Sequence, residues 1–174
     1  SKGQLKVEEI PLNFRSRQAG DSKLDNAVVW DWLVSLVHTA TFRLLPRRAV
    51  SFGLVGLSGM VVHVGLYALL RSLGASFFTT QVVAVITAAC SNYLINNSLT
   101  FRSRRLRGRS LFIGLLKFLL VSSLGMAANV GVSTVVFASL QGGPIAVIAV
   151  ASGILVDFIW KYAASSRFVW NVPY

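Results

Sequence analysis

The chain has 174 residues, of which 54% are hydrophobic and only 13% charged, with a formal net charge of +11. Ordinary globular domains carry roughly 25% charged residues, so this composition excludes a fold whose whole surface is wetted, and lipid is the expected solvent. The basic residues flank long apolar runs, which points to an anionic membrane surface and sets nucleic acid aside as a partner. Cys90 is the single cysteine, which rules out an intrachain disulfide and a cysteine-based zinc site.

Residues 1–48 hold 8 basic and 5 acidic side chains, whereas residues 49–174 hold 9 basic ones and a single acid, Asp157. That shift marks a boundary. Lys2, Lys6, Glu8, Glu9, Arg15 and Arg17 leave no room for a secretory signal peptide at the start. The abrupt opening without Met suggests the C-terminal portion of a longer protein. Residues 5–14 read as extended, since Val7 and Ile10 are β-branched and Pro11 forbids a helix interior. Residues 15–25 read as a polar loop hinged at Gly20. Over residues 26–43 the spacing of Val29, Trp30, Leu33, Leu36, Val37 and Phe42 predicts a helix, with Asp25 or Asn26 as its N-cap. Trp30 and Trp32 suit the headgroup level, so an amphipathic helix lying on the membrane is expected. Packing of this helix on a soluble domain is the alternative.

Four spans follow. Residues 49–70 lack Asp, Glu, Lys and Arg. At 1.5 Å per residue they cover ~33 Å, enough for a hydrocarbon core of about 30 Å. The others are expected at 77–97, 111–138 and 145–166, with turns at 71–76 and 141–144. Arg47, Arg48, the five arginines of residues 102–109 and Arg167 then share one side, against Arg71 on the other. The positive-inside rule places both termini and the middle loop in the cytoplasm. The arginine cluster has two readings: it sets topology beside anionic lipid, or it contacts a neighbouring catalytic domain.

The spans repeat. Residues 52–65 and 118–131 are identical at 7 of 14 positions with a constant offset of 66. In the second helices Tyr93 meets Tyr162, and Leu99, Thr100 and Phe101 meet Phe168, Val169 and Trp170. The fold class is therefore an all-α membrane bundle of four transmembrane helices, built from two repeated hairpins in parallel orientation. Gly59 and His63 share a helix face, and so do their mates Gly125 and Asn129. They suit a packing face where backbones approach; the sharper reading makes His63 and Asn129 part of a polar path for a lipid-linked phosphate. Asp157 and Lys161 lie one turn apart inside the fourth span, where each charge costs about 2.5–3.5 kcal/mol on insertion scales. The spacing suits mutual neutralisation, and Lys161 can snorkel outward. A functional role for the pair is the rival reading. Small-residue faces leave self-association of identical bundles open.

Residues 49–170 resemble the GtrA-like membrane domain. The resemblance rests on Phe52, Val55, Gly56 and Gly59, on NYLINNSLTF at 92–101, and on a weaker second copy, KYAASSRFVW, at 161–170. Asn92, Tyr93, Leu94 and Asn96 fit the family's first-copy pattern. Lys161 stands where that pattern has Asn, which breaks exact symmetry of any polar site. Residues 2–24 resemble the last strand and loop of dolichol-phosphate mannosyltransferases, a glycosyltransferase-family-two fold, through KVEEIPLNF and then Arg17, Gly20, Ser22, Lys23 and Leu24. The two families are commonly fused. Three parts follow: residues 1–25 as the tail of a missing α/β catalytic domain, 26–48 as interfacial helix and linker, and 49–174 as the membrane domain.

The resemblance implies a polyprenol-phosphate mannosyltransferase of a bacterial or archaeal plasma membrane. Its upstream catalytic domain would move mannose from GDP-mannose to polyprenyl phosphate with Mg²⁺ or Mn²⁺. No cofactor is expected in this chain itself, and no catalytic residue, because it holds no Asp-x-Asp among Asp21, Asp25, Asp31 and Asp157. It also lacks a Walker loop, a His-Glu-x-x-His and a serine nucleophile elbow. Phosphate binding remains. Arg17, Ser22 and Lys23, with Arg15 behind them, set a bidentate fork, a hydroxyl and a point charge around a glycine hinge; a solvated charged loop is the alternative. Two roles are open: an anchor that presents the lipid acceptor, or a transporter of the lipid-linked sugar.

Overall fold

The computed structural model describes residues 25–139 and 145–173, and they form five helices. Helix α1 spans Asn26–Ala40, α2 Arg47–Ser72, α3 Phe77–Ile95, α4 Arg109–Ser139 and α5 Ile145–Ala164. Four segments are long and apolar enough to cross a bilayer: Arg47–Ser72, Phe77–Thr100, Arg109–Ser139 and Val147–Val169. Only 11–22% of their apolar windows is buried inside the protein, so the remaining apolar surface needs lipid around it. The chain is a multi-pass membrane protein. The extended tail expected before residue 25 and the turn at 141–144 lie outside the described residues.

The helix ends carry their own reasons. Helix α1 stops at Ala40, short of the expected residue 43, because the chain reverses there. Thr41 donates its hydroxyl to the carbonyls of Val37 and His38, and Phe42 and Arg43 take left-handed φ of 53° and 60°. Phe42, expected on the apolar face of this helix, points outward and is 86% exposed. Pro46 then opens α2, where its missing N–H is harmless. At the far end Gly74 turns the chain with φ 82°. Arg71 donates to the Ala75 carbonyl at 2.9 Å, and the Ser76 hydroxyl caps α3 by accepting from Thr79 N–H at 3.1 Å.

The second and fourth spans do not end as plain α-helices. Each widens into a π-helical turn, Asn96–Thr100 after α3 and Ser165–Val169 after α5. These turns are repeat mates. They close with Phe101 N–H on the Asn96 carbonyl at 2.8 Å and Trp170 N–H on the Ser165 carbonyl at 3.1 Å. The wider turn swings the next aromatic ring inward, and the two rings meet. Phe101 stacks on Trp170 at 4.0 Å between centroids and 9° between planes. Tyr93, Phe118 and Phe52 complete a buried cluster around them.

Helix α2 packs mainly on α3, and α4 mainly on α5, so each repeat is a hairpin. The hairpins join at the end that carries the arginines. Asn97 is the main polar link: its amide donates to the Leu106 carbonyl at 3.0 Å and its oxygen accepts from Leu106 N–H at 2.8 Å and from the Trp170 indole at 3.1 Å. Tyr93 donates to the Leu111 carbonyl at 2.7 Å. Asn97→Ala leaves the buried Trp170 indole and the half-buried Leu106 N–H and carbonyl unpartnered and should cost about 1–3 kcal/mol, seen as a lowered midpoint of thermal unfolding in detergent. Phe112→Ala, on the lipid-facing surface at 64% exposure, should leave that midpoint nearly unchanged.

Candidate functional site

Alternating spans bring Arg47, Arg48, Arg102, Arg104, Arg105, Arg107, Arg109 and Arg167 to one end of the bundle. Helix α1 lies against the start of α2 there. Its Trp30 indole donates to the Ser51 hydroxyl at 2.9 Å, Val34 is buried, and Asp31 pairs with Arg102 at 2.8 Å across an exposed gap. Two anchors of different strength result. The exposed ion pair contributes little by itself, while the indole bond and the buried valine fix the helix in register.

Between α1, the start of α2 and the first π-helical turn lies a pocket of about 560 Å³. Its floor is a hydroxyl pair, Ser51 and Thr100, 2.7 Å apart. Its rim carries Arg47, Arg48 and Arg102, with Trp30 and Tyr162 as apolar walls. Arg102 is neutralised in part by Asp31; Arg47 and Arg48 form no ion pair among the described residues. Guanidinium forks, with the one hydroxyl proton that the Ser51–Thr100 pair leaves free, match the oxygens of a phosphate. No group of three His, Cys, Asp or Glu side chains converges among the described residues, so the donors of this face are cations and hydroxyls.

The intramembrane polar residues sit deeper and in separate hairpins. In the first, the Asn92 amide fills the space above Gly59, where a Cβ would overlap it. In the second, Asp157 and Lys161 pair at 2.8 Å and lie over Gly125, the repeat mate of Gly59, whose added Cβ would meet Asp157 Oδ1. Asn129 accepts from Ser133 at 3.3 Å, and both crowd Gly153. His63 Nε2, Asn92 Oδ1, Asn96 Oδ1 and Asp157 Oδ1 are buried without a hydrogen-bond partner among the described residues. Asn96 is 1% exposed within the first π-helical turn. The packing role read for Gly59 and Gly125 thus has a concrete form: each glycine admits the polar group of the neighbouring helix.

Arg15, Arg17, Ser22 and Lys23 lie outside the described residues. Sequence reasoning passed over Asn97, Ser51, Thr100 and the Trp30 indole. The match of Leu99, Thr100 and Phe101 to Phe168, Val169 and Trp170 was the available signal, since it marked the helix ends as the shared element.

Residues 51–170 match the family model described as the GtrA/DPMS transmembrane domain. The chain belongs to this family. The GtrA/DPMS match spans both hairpins and both π-helical turns but leaves α1 outside. The chain is also 31% identical over 165 residues to a dolichol-phosphate mannosyltransferase of Pyrococcus furiosus. That similarity covers 95% of this chain, α1 included, and 46% of the relative. The chain therefore spans about half the length of that relative and corresponds to its C-terminal part.

Gly59→Leu and Gly125→Leu should each destabilise the bundle, by of order 1–3 kcal/mol through overpacking. Gly56→Leu should be tolerated, because nothing lies within 4 Å of a Cβ there. Thermal unfolding of the three variants in one detergent compares them directly.

Proposed function

We propose that this chain is the membrane part of a polyprenol-phosphate glycosyltransferase. It anchors the catalytic domain at the bilayer and presents the polyprenyl phosphate acceptor to it. The relative found in Pyrococcus furiosus is named a dolichol-phosphate mannosyltransferase, which supports mannose as the transferred sugar; GDP-mannose as its donor rests on the family resemblance alone. Mg²⁺ or Mn²⁺ would belong to the upstream domain. The observation that carries the reading is the pocket on the arginine-bearing face. It lies beside α1, the helix reached directly from residues 2–24, which resemble the end of a transferase domain.

In this reading α1 lies at the headgroup level, and the arginine-bearing face and both termini are cytoplasmic. The prenyl chain lies along the exposed apolar helices, and its phosphate rises to the pocket. Arg47 and Arg48 attract the phosphate and neutralise it, and the one hydroxyl proton that the Ser51–Thr100 pair leaves free orients one of its oxygens. Arg17, Ser22 and Lys23, with Arg15, are assigned to the same phosphate on the strength of the resemblance of residues 2–24 to a transferase tail. The chain positions the acceptor and supplies no base or nucleophile. Anionic phospholipids compete for the outer arginines. The transporter reading gains less support, because Asn92 belongs to one hairpin while Asn129, Asp157 and Lys161 belong to the other.

Full-length protein carrying R47Q/R48Q should show a KM for polyprenyl phosphate raised about tenfold, the loss of ~1.4 kcal/mol of binding. Its KM for GDP-mannose should be unchanged. Initial rates of transfer in proteoliposomes read both constants. An unaltered acceptor KM would remove the pocket from acceptor binding.

A further inference from the structure

The two repeats build the same groove twice, and among the described residues a helix covers only the first copy. In the first repeat the groove contains Ser51, Leu99 and Thr100, and α1 lies across it. The offsets that relate the repeats carry Ser51 to Lys117, Leu99 to Phe168, Thr100 to Val169, Ser98 to Arg167 and Arg102 to Asn171. Lys117, Arg167, Phe168, Val169 and Asn171 line a second cavity, of about 440 Å³. The structure has thus converted a helix-docking groove into a cationic one. The hydroxyl that receives Trp30 in one copy is an ammonium in the other.

We infer that this second groove binds the phosphate of a lipid. Lys117 and Arg167 come from different helices and converge on one cavity whose lining among the described residues holds no carboxylate. Neither forms an ion pair among the described residues. Asn171, in a left-handed conformation with φ 49°, turns back so that its side-chain oxygen accepts from Arg167 at 3.4 Å. That long contact aims the guanidinium across the groove and leaves most of its donors free. Lys117 lies eight residues into α4, about 12 Å along the axis, where an unpaired ammonium gains by snorkelling to the headgroup level. Phe168, 60% exposed beside the cations, offers an apolar wall to the first carbons of a lipid chain. An ammonium, a guanidinium and an apolar flank suit a membrane-embedded phosphate better than a soluble one.

The inference is independent of sugar transfer and of the first pocket, so its test uses this chain in an R47Q/R48Q background. Farnesyl phosphate is the probe, and native mass spectrometry of the detergent-solubilised chain counts the bound molecules. K117Q/R167Q should weaken farnesyl phosphate binding by about tenfold or more. R71Q, which removes a cation at the opposite end, should leave it unchanged, and K117R/R167K should restore it. Displacement of the probe by phosphatidylglycerol supports a lipid-phosphate site that also accepts diesters. Displacement by inorganic phosphate at equal concentration overturns the lipid assignment in favour of a free-phosphate site. Equal retention by K117Q/R167Q and its parent, at matched unfolding temperature, overturns the site altogether.

Discussion

A charge at the centre of a bilayer-spanning helix costs about 2.5–3.5 kcal/mol on insertion scales, and that cost orders this molecule. It leaves four apolar stretches to cross the bilayer and drives the arginines to their ends. Four crossings of alternating direction then collect those arginines, Arg71 excepted, on one face. The single intramembrane acid, Asp157, follows the same constraint: it pairs with Lys161 one turn away and lies over a glycine that gives it room. Asn92 lies over Gly59 in the other hairpin in the corresponding way.

Hydrocarbon gives hairpins little reason to stay together, because lipid tails are as apolar as leucine. The joint must come from packing and hydrogen bonds. Here it is concentrated at the arginine-bearing end, where the stacked Phe101 and Trp170 rings and the Asn97 side chain tie the two repeats. The π-helical turns make this possible by delivering both rings to the axis between the hairpins. Such turns are uncommon and concentrate at functional positions. In this protein they do two things at once: they close the bundle and form one wall of each groove.

Much of this was legible in the sequence. Hydropathy located the spans to within a few residues, since length and charge exclusion are properties of the chain alone. The repeat identified Gly59 with Gly125 and Phe101 with Trp170 before any packing was known. What stayed hidden depends on partners from distant parts of the chain. Nothing in the periodicity of NYLINNSLTF distinguishes a π-helical turn, which exists because Phe101 finds Trp170. Asn92, Asn96 and Asn97 look alike in sequence; only the approach of Leu106 and Trp170 makes Asn97 the link. Phe42 fitted a helical face by spacing, yet the reversal into Pro46 carries it out of the helix. Lys117 sat unremarked in an apolar run, because its meaning comes from Arg167 on another helix.

The functional reading inherits its geometry from the same constraint, since a phosphate can be presented to a transferase only if the grooves, α1 and the chain end share one side of the membrane. Side-specific labelling tests this most directly. With Cys90 replaced by Ala, single cysteines at Ser103, Asn171 and Ala75 are exposed to a membrane-impermeant maleimide in intact cells and in inverted vesicles. Ser103→Cys and Asn171→Cys should label together in inverted vesicles, and Ala75→Cys only in intact cells. Labelling of Ser103→Cys and Asn171→Cys from opposite sides would mean an odd number of crossings between them and would contradict the four-span account.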